Sequence, residues 1–180
     1  MIEVIKVSRL KSLQLKKGYL DKLYFKIGKQ KYNFWVCGTF TDDEGNKKFT
    51  KWKKYRDCVA NIDVLNLKNN DWKDLKFFEG INNRQILGVE IVLDIEDPNE
   101  IKSIMEKLKR YDWNYSVWKT GSKGYHIHIF LDKEATTHQK EAFVKLFDTD
   151  LQKCNEKNLI ALENEKHWRT GNMKEEINYE

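Results

Sequence analysis

The stretch from Gly88 to Leu131 decides the fold of this chain. It begins Gly88-Val-Glu-Ile-Val-Leu-Asp-Ile-Glu-Asp-Pro98 and ends Tyr115-Ser-Val-Trp-Lys-Thr-Gly-Ser-Lys-Gly-Tyr-His-Ile-His-Ile-Phe-Leu131. The first part is rich in Val and Ile and stops at a proline, which predicts a β-strand. The second part predicts two more strands, Tyr115–Lys119 and Tyr125–Leu131, joined by a glycine-containing turn.

A helix is expected between the first and second strands. Asp97 is suited to cap its N-terminus, and Pro98 is tolerated in the first helical turn. The apolar residues that follow recur at the i, i+3, i+4, i+7 spacing of a core-facing helix, namely Ile101, Ile104, Met105 and Leu108. The sequence therefore predicts a strand–helix–strand unit that is closed by a hairpin.

Two acidic residues end the first strand on one face. Because side chains alternate along a strand, Asp94 and Glu96 project from the same side, about 7 Å apart at a rise of about 3.3 Å per residue. Paired carboxylates suit a divalent cation with oxygen ligands. On the third strand, His126 and His128 likewise share a face, opposite the apolar residues.

The turn Thr120-Gly-Ser-Lys-Gly124 has the composition of an anion-binding loop. Its glycines allow positive φ and close approach of the backbone to a ligand. Ser122 and Lys123 supply a hydroxyl and an ammonium group, and backbone N–H groups in such turns can surround an anion. His126 can donate to a phosphate oxygen. Carboxylates opposite such a loop predict a metal–nucleotide site.

These two motifs resemble the first two motifs of the archaeo-eukaryotic primase superfamily. That family has a hydrophobic run ending in Asp-x-Asp or Asp-x-Glu, followed by a Ser-Gly-x-Lys/Arg-Gly-x-His type of motif. Asp94 and Glu96 match the first motif, and Gly124-Tyr-His126 matches the second, with Thr120 at the usual serine position. The order, the spacing and the intervening helix agree.

The resemblance implies template-directed nucleotidyl transfer with two Mg²⁺ or Mn²⁺ ions. It implies a third acid, for which Asp150 is preferred over Glu163 and Asp148. Asp94, Glu96 and Asp150 would hold the ions. The triphosphate would be bound by a set of small, basic and imidazole residues: Ser122, Lys123, Gly124, His126, Arg169 and Lys174.

A basic aromatic segment lies upstream of these motifs. It contains Lys51, Trp52, Lys53, Lys54 and Arg56, and this interleaving of cations with aromatic rings suits contact with nucleic acid. The alternative is an edge strand protected from aggregation by lysines.

The remaining patterns predict several elements. They favour strands over Tyr19–Ile27 and Tyr32–Phe40 and an irregular stretch over 69–86. They also favour a helix from Thr136 or Thr137 through Phe147, with a set of buried residues: Ala142, Phe143, Leu146 and Phe147.

Composition is that of a globular protein. The 180 residues carry a net charge of +5 and 34% charged residues, a mildly basic balance that permits a nucleic-acid partner. The cysteines, Cys37, Cys58 and Cys154, form no Cys-x-x-Cys pair, so neither a disulfide framework nor a zinc module is supported. No apolar run approaches the roughly 18 residues of a membrane span. A cytoplasmic location is expected.

The expected fold is α/β, with a palm like that of RNA-recognition motifs packed on an N-terminal mixed α/β lobe. We expect one catalytic domain over residues 1–180, with lobes at 1–85 and 86–180. Expected partners are nucleoside triphosphates, a single-stranded or primed DNA template, and a helicase or accessory primase subunit, without a membrane. The alternatives are an inactive nucleic-acid-binding module and a metal-dependent phosphoesterase that uses His126 and His128 as ligands.

Overall fold

The computed structural model is a mixed α/β protein with antiparallel sheets. It describes residues 15–24, 34–59, 80–155 and 157–179. The chain divides into two compact units, Met1–Arg84 and Gln85–Glu180.

The first unit is organised around one central strand. Its described elements are α1 (15–24), β1 (Trp35–Thr41), β2 (Lys47–Phe49), β3 (Lys53–Lys54), α2 (Tyr55–Val59) and β4 (Ile81–Gln85), the last of which ends at the boundary. Strands β2, β3 and β4 all pair antiparallel with β1. Tyr55 is buried, stacks on Phe34 with ring centroids 5.1 Å apart, and donates a hydrogen bond to Asp21. These contacts join α1, α2 and the start of β1.

The strand predicted over Tyr19–Ile27 is wrong where the structure describes it. Residues 19–24 belong to α1, and residues 25–27 lie outside the described part of the chain. The buried residues of α1 are Lys16, Leu20 and Leu23, which recur at a helical spacing. An ion pair between Lys17 and Asp21 supports the same turn of helix. The aromatic residues of this segment suggested a strand, but its buried residues recur at the spacing of a helix.

A strand is also present where an irregular stretch was predicted. The segment of β4 reads Ile-Asn-Asn-Arg-Gln, which has no alternation of apolar and polar residues. Its hydrogen bonding to β1 makes it a strand, and Asn83 and Arg84 are buried in it. Gly38 of β1 fits closely here, since a Cβ atom would lie 2.0 Å from the carbonyl oxygen of Gly80. Residues 69–79 of that prediction lie outside the described ranges.

The second unit contains the strand–helix–strand unit and its hairpin. Its elements are β5 (Glu90–Ile95), a 3₁₀-helix (Pro98–Glu100), α3 (Ile101–Leu108), β6 (Tyr115–Lys119), β7 (Tyr125–Phe130), α4 (Thr137–Lys145), a second 3₁₀-helix (Leu151–Cys154), β8 (Leu159–Ala161) and β9 (Glu175–Ile177). Four of these strands form an antiparallel sheet in the order β5-β7-β6-β9. The three predicted strands and the helix between them are confirmed. Asp97 accepts a hydrogen bond from the backbone N–H of Asn99 and caps the first turn, as predicted.

One face of this sheet carries the apolar core. Ile91, Leu93 and Ile95 of β5 pack with the buried stripe of α3 and with alternate residues of the other strands. The four residues predicted to face the core from α3 are all buried. Since Asp94 and His126 occupy the intervening positions, they lie on the opposite face of the sheet.

Helix α4 begins as predicted, and its predicted buried face is confirmed in part, since Phe147 is buried and Phe143 packs half-buried against the core. Thr136 caps it in a capping box with Gln139. The buried residues near α4 are Lys140, Val144 and Phe147, whereas Ala142 and Leu146 are exposed. Lys140 takes an apolar-facing position because its stem packs inward while its amine donates to the carbonyl of Leu87 at 2.7 Å. Because a lysine occupies this position, the sequence pattern did not indicate the whole buried face of the helix.

Candidate active site

Asp94 and His126 meet at directly opposed positions of β5 and β7. The Nε2 atom of His126 lies 3.3 Å from the Oδ1 atom of Asp94. The side chain of His126 is 8% exposed and that of Asp94 17% exposed, so the pair is accessible chiefly through the carboxylate. The alternation that places the neighbouring Leu93 and Ile95 in the core is what directs Asp94 to this side of the sheet.

The protonation states of this pair follow from burial and from nearby charges. Burial and the ammonium of Lys174 lower the pKa of His126 to about 3, against the opposing effect of Asp94. Burial alone would raise the pKa of Asp94, but the hydrogen bond from His126 and the charges of Lys153 and Lys174 bring it below its usual value. At neutral pH the site therefore holds a carboxylate and a neutral imidazole whose Nε2–H donates.

The second ring nitrogen of this imidazole is in a different environment from the first. Nδ1 of His126 is buried and makes no hydrogen bond within the described residues. In the tautomer that donates from Nε2, this nitrogen is an acceptor. A buried polar atom without a partner requires an explanation, and a catalytic role or a bound water or ion would supply one.

Lys153 is a further residue of the site that the sequence analysis missed. Its Nζ atom lies 3.7 Å from Oδ2 of Asp94, with the lysine side chain 22% exposed. The second 3₁₀-helix carries it there, and the carboxylate of Asp150 caps that helix by accepting from the backbone N–H of Gln152. Asp150 as a helix cap could have indicated a short helix here, but no local pattern indicates that Lys153 reaches Asp94.

The structure does not gather three acids around the predicted pair. Glu96 follows β5 and is exposed. Asp150 is used as the helix cap described above, and Asp148 is exposed with φ at 55°, its carboxylate 3.8 Å from Lys107. Among the described residues, no group of three His, Cys, Asp or Glu side chains is arranged to hold a metal ion.

The predicted anion-binding turn is closed by its own hydroxyl and tightly packed. Thr120 donates from Oγ1 to the carbonyl of Gly124 and accepts from the backbone N–H of Ser122. A Cβ atom on Gly124 would lie within 1.8 Å of the carbonyl oxygen of Ile95, so only glycine fits beside β5. Ser122 and Lys123 are exposed at the tip.

A turn from the C-terminal region contacts this loop. Thr170 donates from Oγ1 to the carbonyl of Gly121 at 2.6 Å. Gly121 has φ at +73°, and a Cβ atom there would lie 2.6 Å from the carbonyl oxygen of Asn172. The neighbouring Arg169 is exposed, with its guanidinium 4.6 Å from the ring centroid of Trp168. The fold thus brings the predicted Arg169 segment to the loop that holds Ser122 and Lys123.

A fully buried ionic network adjoins the pair on the same face. His128 contacts Glu90 through Nδ1 at 2.6 Å and Lys174 through Nε2 at 3.1 Å. Lys174 also donates to Oε1 of Glu163 at 3.0 Å and to the carbonyl of Ala161 at 2.9 Å. All four charged or imidazole side chains are 0% exposed.

This network assigns different environments to three predicted residues. Burial and the charge of Lys174 lower the pKa of His128, so its neutral ring donates from Nδ1 to Glu90 and accepts at Nε2. The three N–H bonds of Lys174 are directed at His128, Glu163 and a backbone carbonyl, rather than at the exposed loop. Glu163, one of the three candidates for a third acid, is an ion-pair partner of Lys174.

The predicted nucleic-acid segment lies in the first unit. Lys51, Trp52, Lys53 and Arg56 are exposed, and Lys54 is half-buried with its amine 5.6 Å from the ring centroid of Trp35. Lys53 and Lys54 form the short β3 on β1.

Comparison with known proteins gives no family assignment. Neither a protein-family model nor a curated protein matches the sequence. No helix in the described ranges has the length and apolarity required to cross a membrane.

Proposed function

We propose that this protein is a nucleotidyltransferase of the archaeo-eukaryotic primase type, which adds nucleotides to a primer or initiates one on a single-stranded template. The observation that carries the proposal is the direct opposition of Asp94 and His126, with the glycine loop leading into the strand that carries His126. The order β5-α3-β6-β7 is a split β-α-β arrangement, which is compatible with the RNA-recognition-motif-like palm expected of such enzymes.

The loop and the C-terminal turn would bind the triphosphate. Ser122, Lys123 and Arg169 offer a hydroxyl and two cations on segments joined by the Thr170–Gly121 hydrogen bond. Charge-assisted hydrogen bonds to phosphate are among the strongest polar contacts that a protein makes. A neutral His126 would orient the carboxylate of Asp94 through its Nε2–H. The ammonium group of Lys153 would balance the negative charge of the same carboxylate in the absence of substrate.

The donor set fits a hard divalent cation held jointly with nucleotide phosphates. Mg²⁺ is typically bound by one or two carboxylates plus substrate phosphates and water, and Asp94 and Glu96 supply two carboxylates. When bound, Mg²⁺ or Mn²⁺ would polarise the phosphoryl oxygens and neutralise the leaving pyrophosphate. Asp150 remains the proposed third acid for a second ion, and in its cap position it would have to give up the Gln152 N–H.

The remaining alternatives predict different products. The phosphoesterase alternative needs Nε2 of His128 as a metal ligand, and that atom already accepts from Lys174. An inactive module would bind nucleic acid without incorporating nucleotides.

The test is incorporation of labelled nucleotides on a single-stranded template, with and without primer, in Mg²⁺ or Mn²⁺. We expect activity in the wild-type protein and its loss in Asp94→Asn, which removes the anionic ligand at nearly constant volume. The matched control is Asp132→Asn, an exposed carboxylate after β7, which should leave activity unchanged. Incorporation by the Asp94→Asn protein at the wild-type rate would refute the proposed site.

A further inference from the structure

Exposed aromatic rings are concentrated on the strands of the first unit. Four of the exposed large hydrophobic side chains belong to β1, β2 and the loop before β3: Trp35, Phe40, Phe49 and Trp52, at 38, 48, 47 and 38% exposure. Five lysines and one arginine occur between residues 47 and 56. Exposed aromatics beside cations indicate a binding surface rather than a packing defect.

The strand register separates these residues into two faces. Directly opposed residues of an antiparallel pair share a face, and neighbours along a strand alternate. Trp35 is opposed to Lys54, Thr39 to Phe49 and Thr41 to Lys47. Trp35, Thr39 and Thr41 occupy alternate positions of β1, so these partners lie on one side, on which Cys37, between Trp35 and Thr39, is buried. We call this set, Trp35, Lys47, Phe49 and Lys54, the stacking face.

The opposite side of the same strands is different in charge. Phe40 is opposed to Lys48, and the amine of Lys48 lies 2.5 Å from the carboxylate of Asp42. The tight turn that carries Asp42, Asp43 and Glu44 places three acidic residues at that end of the hairpin. Phosphates would be repelled from this turn and attracted toward the lysines of β3, Lys53 and Lys54, at the other end of β1.

The dimensions of the stacking face suit an extended single strand. Trp35 and Thr39, which is beside Phe49, are four residues apart on β1, or about 13 Å at about 3.3 Å per residue. Proteins bind single-stranded nucleic acid by stacking successive bases on aromatic rings while cations follow the phosphates. Lys54, whose amine is near the Trp35 ring, and Lys47 beside Phe49 supply one cation for each aromatic ring.

We propose that the stacking face binds single-stranded nucleic acid without strong sequence preference. The claim that this surface holds a template rests on the proposed function. The claim that it binds single-stranded nucleic acid depends only on the geometry of β1, β2 and β3. It also reassigns the predicted basic segment, because the residues expected to matter most are Trp35 and Phe49, which the sequence analysis did not select.

The experiment measures binding of a fluorescently labelled oligothymidine of about 16 nucleotides, near the upper site size of small single-strand-binding folds. Fluorescence anisotropy is recorded in the presence of a chelator and without nucleotides. Phe49→Ala should weaken binding by about 5- to 150-fold, the loss that corresponds to one stacked base. Phe49→Leu, which keeps apolar volume but removes the ring, should show a similar loss and thereby excludes a folding defect as the cause.

The matched control uses the same residue types on the other face. Phe40→Ala should change affinity by less than about twofold, because its ring lies opposite the stacking face. Lys47→Glu with Lys54→Glu should reduce the slope of log affinity against log salt by about 1.4, at about 0.7 for each lost phosphate contact to single strands. Equal effects of Phe49→Ala and Phe40→Ala, or wild-type binding by Phe49→Leu, would overturn the inference.

Failure of the proposed function would be visible separately. Asp94→Asn protein should bind the oligonucleotide as tightly as wild type, since the assay contains neither metal nor nucleotide. Face-specific binding without any incorporation would leave the stacking face standing and remove the polymerase proposal. Nucleotide incorporation by the wild-type protein, together with wild-type oligonucleotide binding by Phe49→Ala and Phe49→Leu, would support the polymerase proposal and refute the stacking face.

Discussion

Lys174 is the buried cation on which the polar side of the second unit depends. Its three donors reach His128, Glu163 and the carbonyl of Ala161, and its charge also lowers the pKa of His126 and of Asp94. A buried ion network is costly to assemble, but removing one member leaves the others uncompensated. Lys174 therefore connects the stability of this face to the protonation of the Asp94–His126 pair.

Lys174→Met should destabilise the protein by about 3–5 kcal/mol, because it leaves the carboxylate of Glu163 buried without its cation. Chemical denaturation would measure the change in the free energy of unfolding. Lys123→Met, at an exposed lysine, should stay within about 0.5 kcal/mol of wild type. The double variant Lys174→Met/Glu163→Met should be more stable than Lys174→Met alone. Equal stability of Lys174→Met and wild type would show that the network does not form.

His126→Ala should raise the pKa of Asp94, because the hydrogen bond that stabilises its carboxylate is lost. A carboxylate binds a cation only when ionised, so the acid limb of Mn²⁺ binding should move to higher pH. At neutral pH, Mn²⁺ affinity in the absence of nucleotide should change little, whereas catalytic efficiency should fall by about 10- to 150-fold, because the charge-assisted hydrogen bond that orients the Asp94 carboxylate is lost.

The same variant separates the proposed reaction from phosphoesterase chemistry. Metal binding would be followed by titration without nucleotide, so that the readout does not depend on turnover. Complete loss of Mn²⁺ binding at neutral pH would identify the imidazole of His126 as a ligand and would contradict its proposed role of orienting Asp94.

At the scale of elements, prediction succeeded where local pattern and tertiary packing agree. In β5, α3, β6 and β7, alternation or helical period coincides with burial, so both the boundaries and the faces could be read from the sequence. It failed for α1 and for part of the buried face of α4, where Lys16 and Lys140 occupy buried positions, and for β4, which depends on pairing with β1. Long-range contacts, which no local pattern records, decide these elements.

The same division applies to the candidate site. Asp94, His126 and the glycine loop are on contiguous, strongly patterned elements, and their motif spacing located them. Lys153 and Glu90 gave no such signal, because their roles depend on a short 3₁₀-helix and on a cross-strand contact with His128. The spacing in the sequence could not distinguish Asp150 as a helix cap from Asp150 as a ligand.

Gly124→Ala should destabilise the second unit, because the added Cβ would overlap the carbonyl oxygen of Ile95 and separate the loop from β5. Overpacking of this kind costs typically about 1–3 kcal/mol, and backbone is the least yielding neighbour. Thermal unfolding monitored by circular dichroism would measure the shift in Tm.

Gly18→Ala is the matched control for that substitution. It lies within α1 with no atom within 4 Å of the added Cβ, so it should stabilise the protein by up to about 1 kcal/mol through helix propensity. A Tm for Gly124→Ala equal to or above that of wild type would mean that the loop can move away from β5 without cost.

At the scale of the whole molecule, the buried imidazoles should control acid stability. Burial lowers the pKa of His126 to about 3 and also lowers that of His128, so below their ordinary pKa of 6.5 the unfolded chain binds more protons than the native one. The free energy of unfolding should therefore fall as pH falls from about 6.5, by up to about 1.4 kcal/mol per pH unit for each such proton. Asp94, whose pKa is also lowered, acts in the same direction but only below its ordinary value of 3.8.

Urea unfolding between about pH 7 and about pH 4 measures this slope. His126→Gln should make the slope shallower, whereas His138→Gln, at an exposed histidine on α4, should leave it unchanged. A flat wild-type profile, or equal flattening by both substitutions, would show that the buried imidazoles do not set the acid stability of this protein.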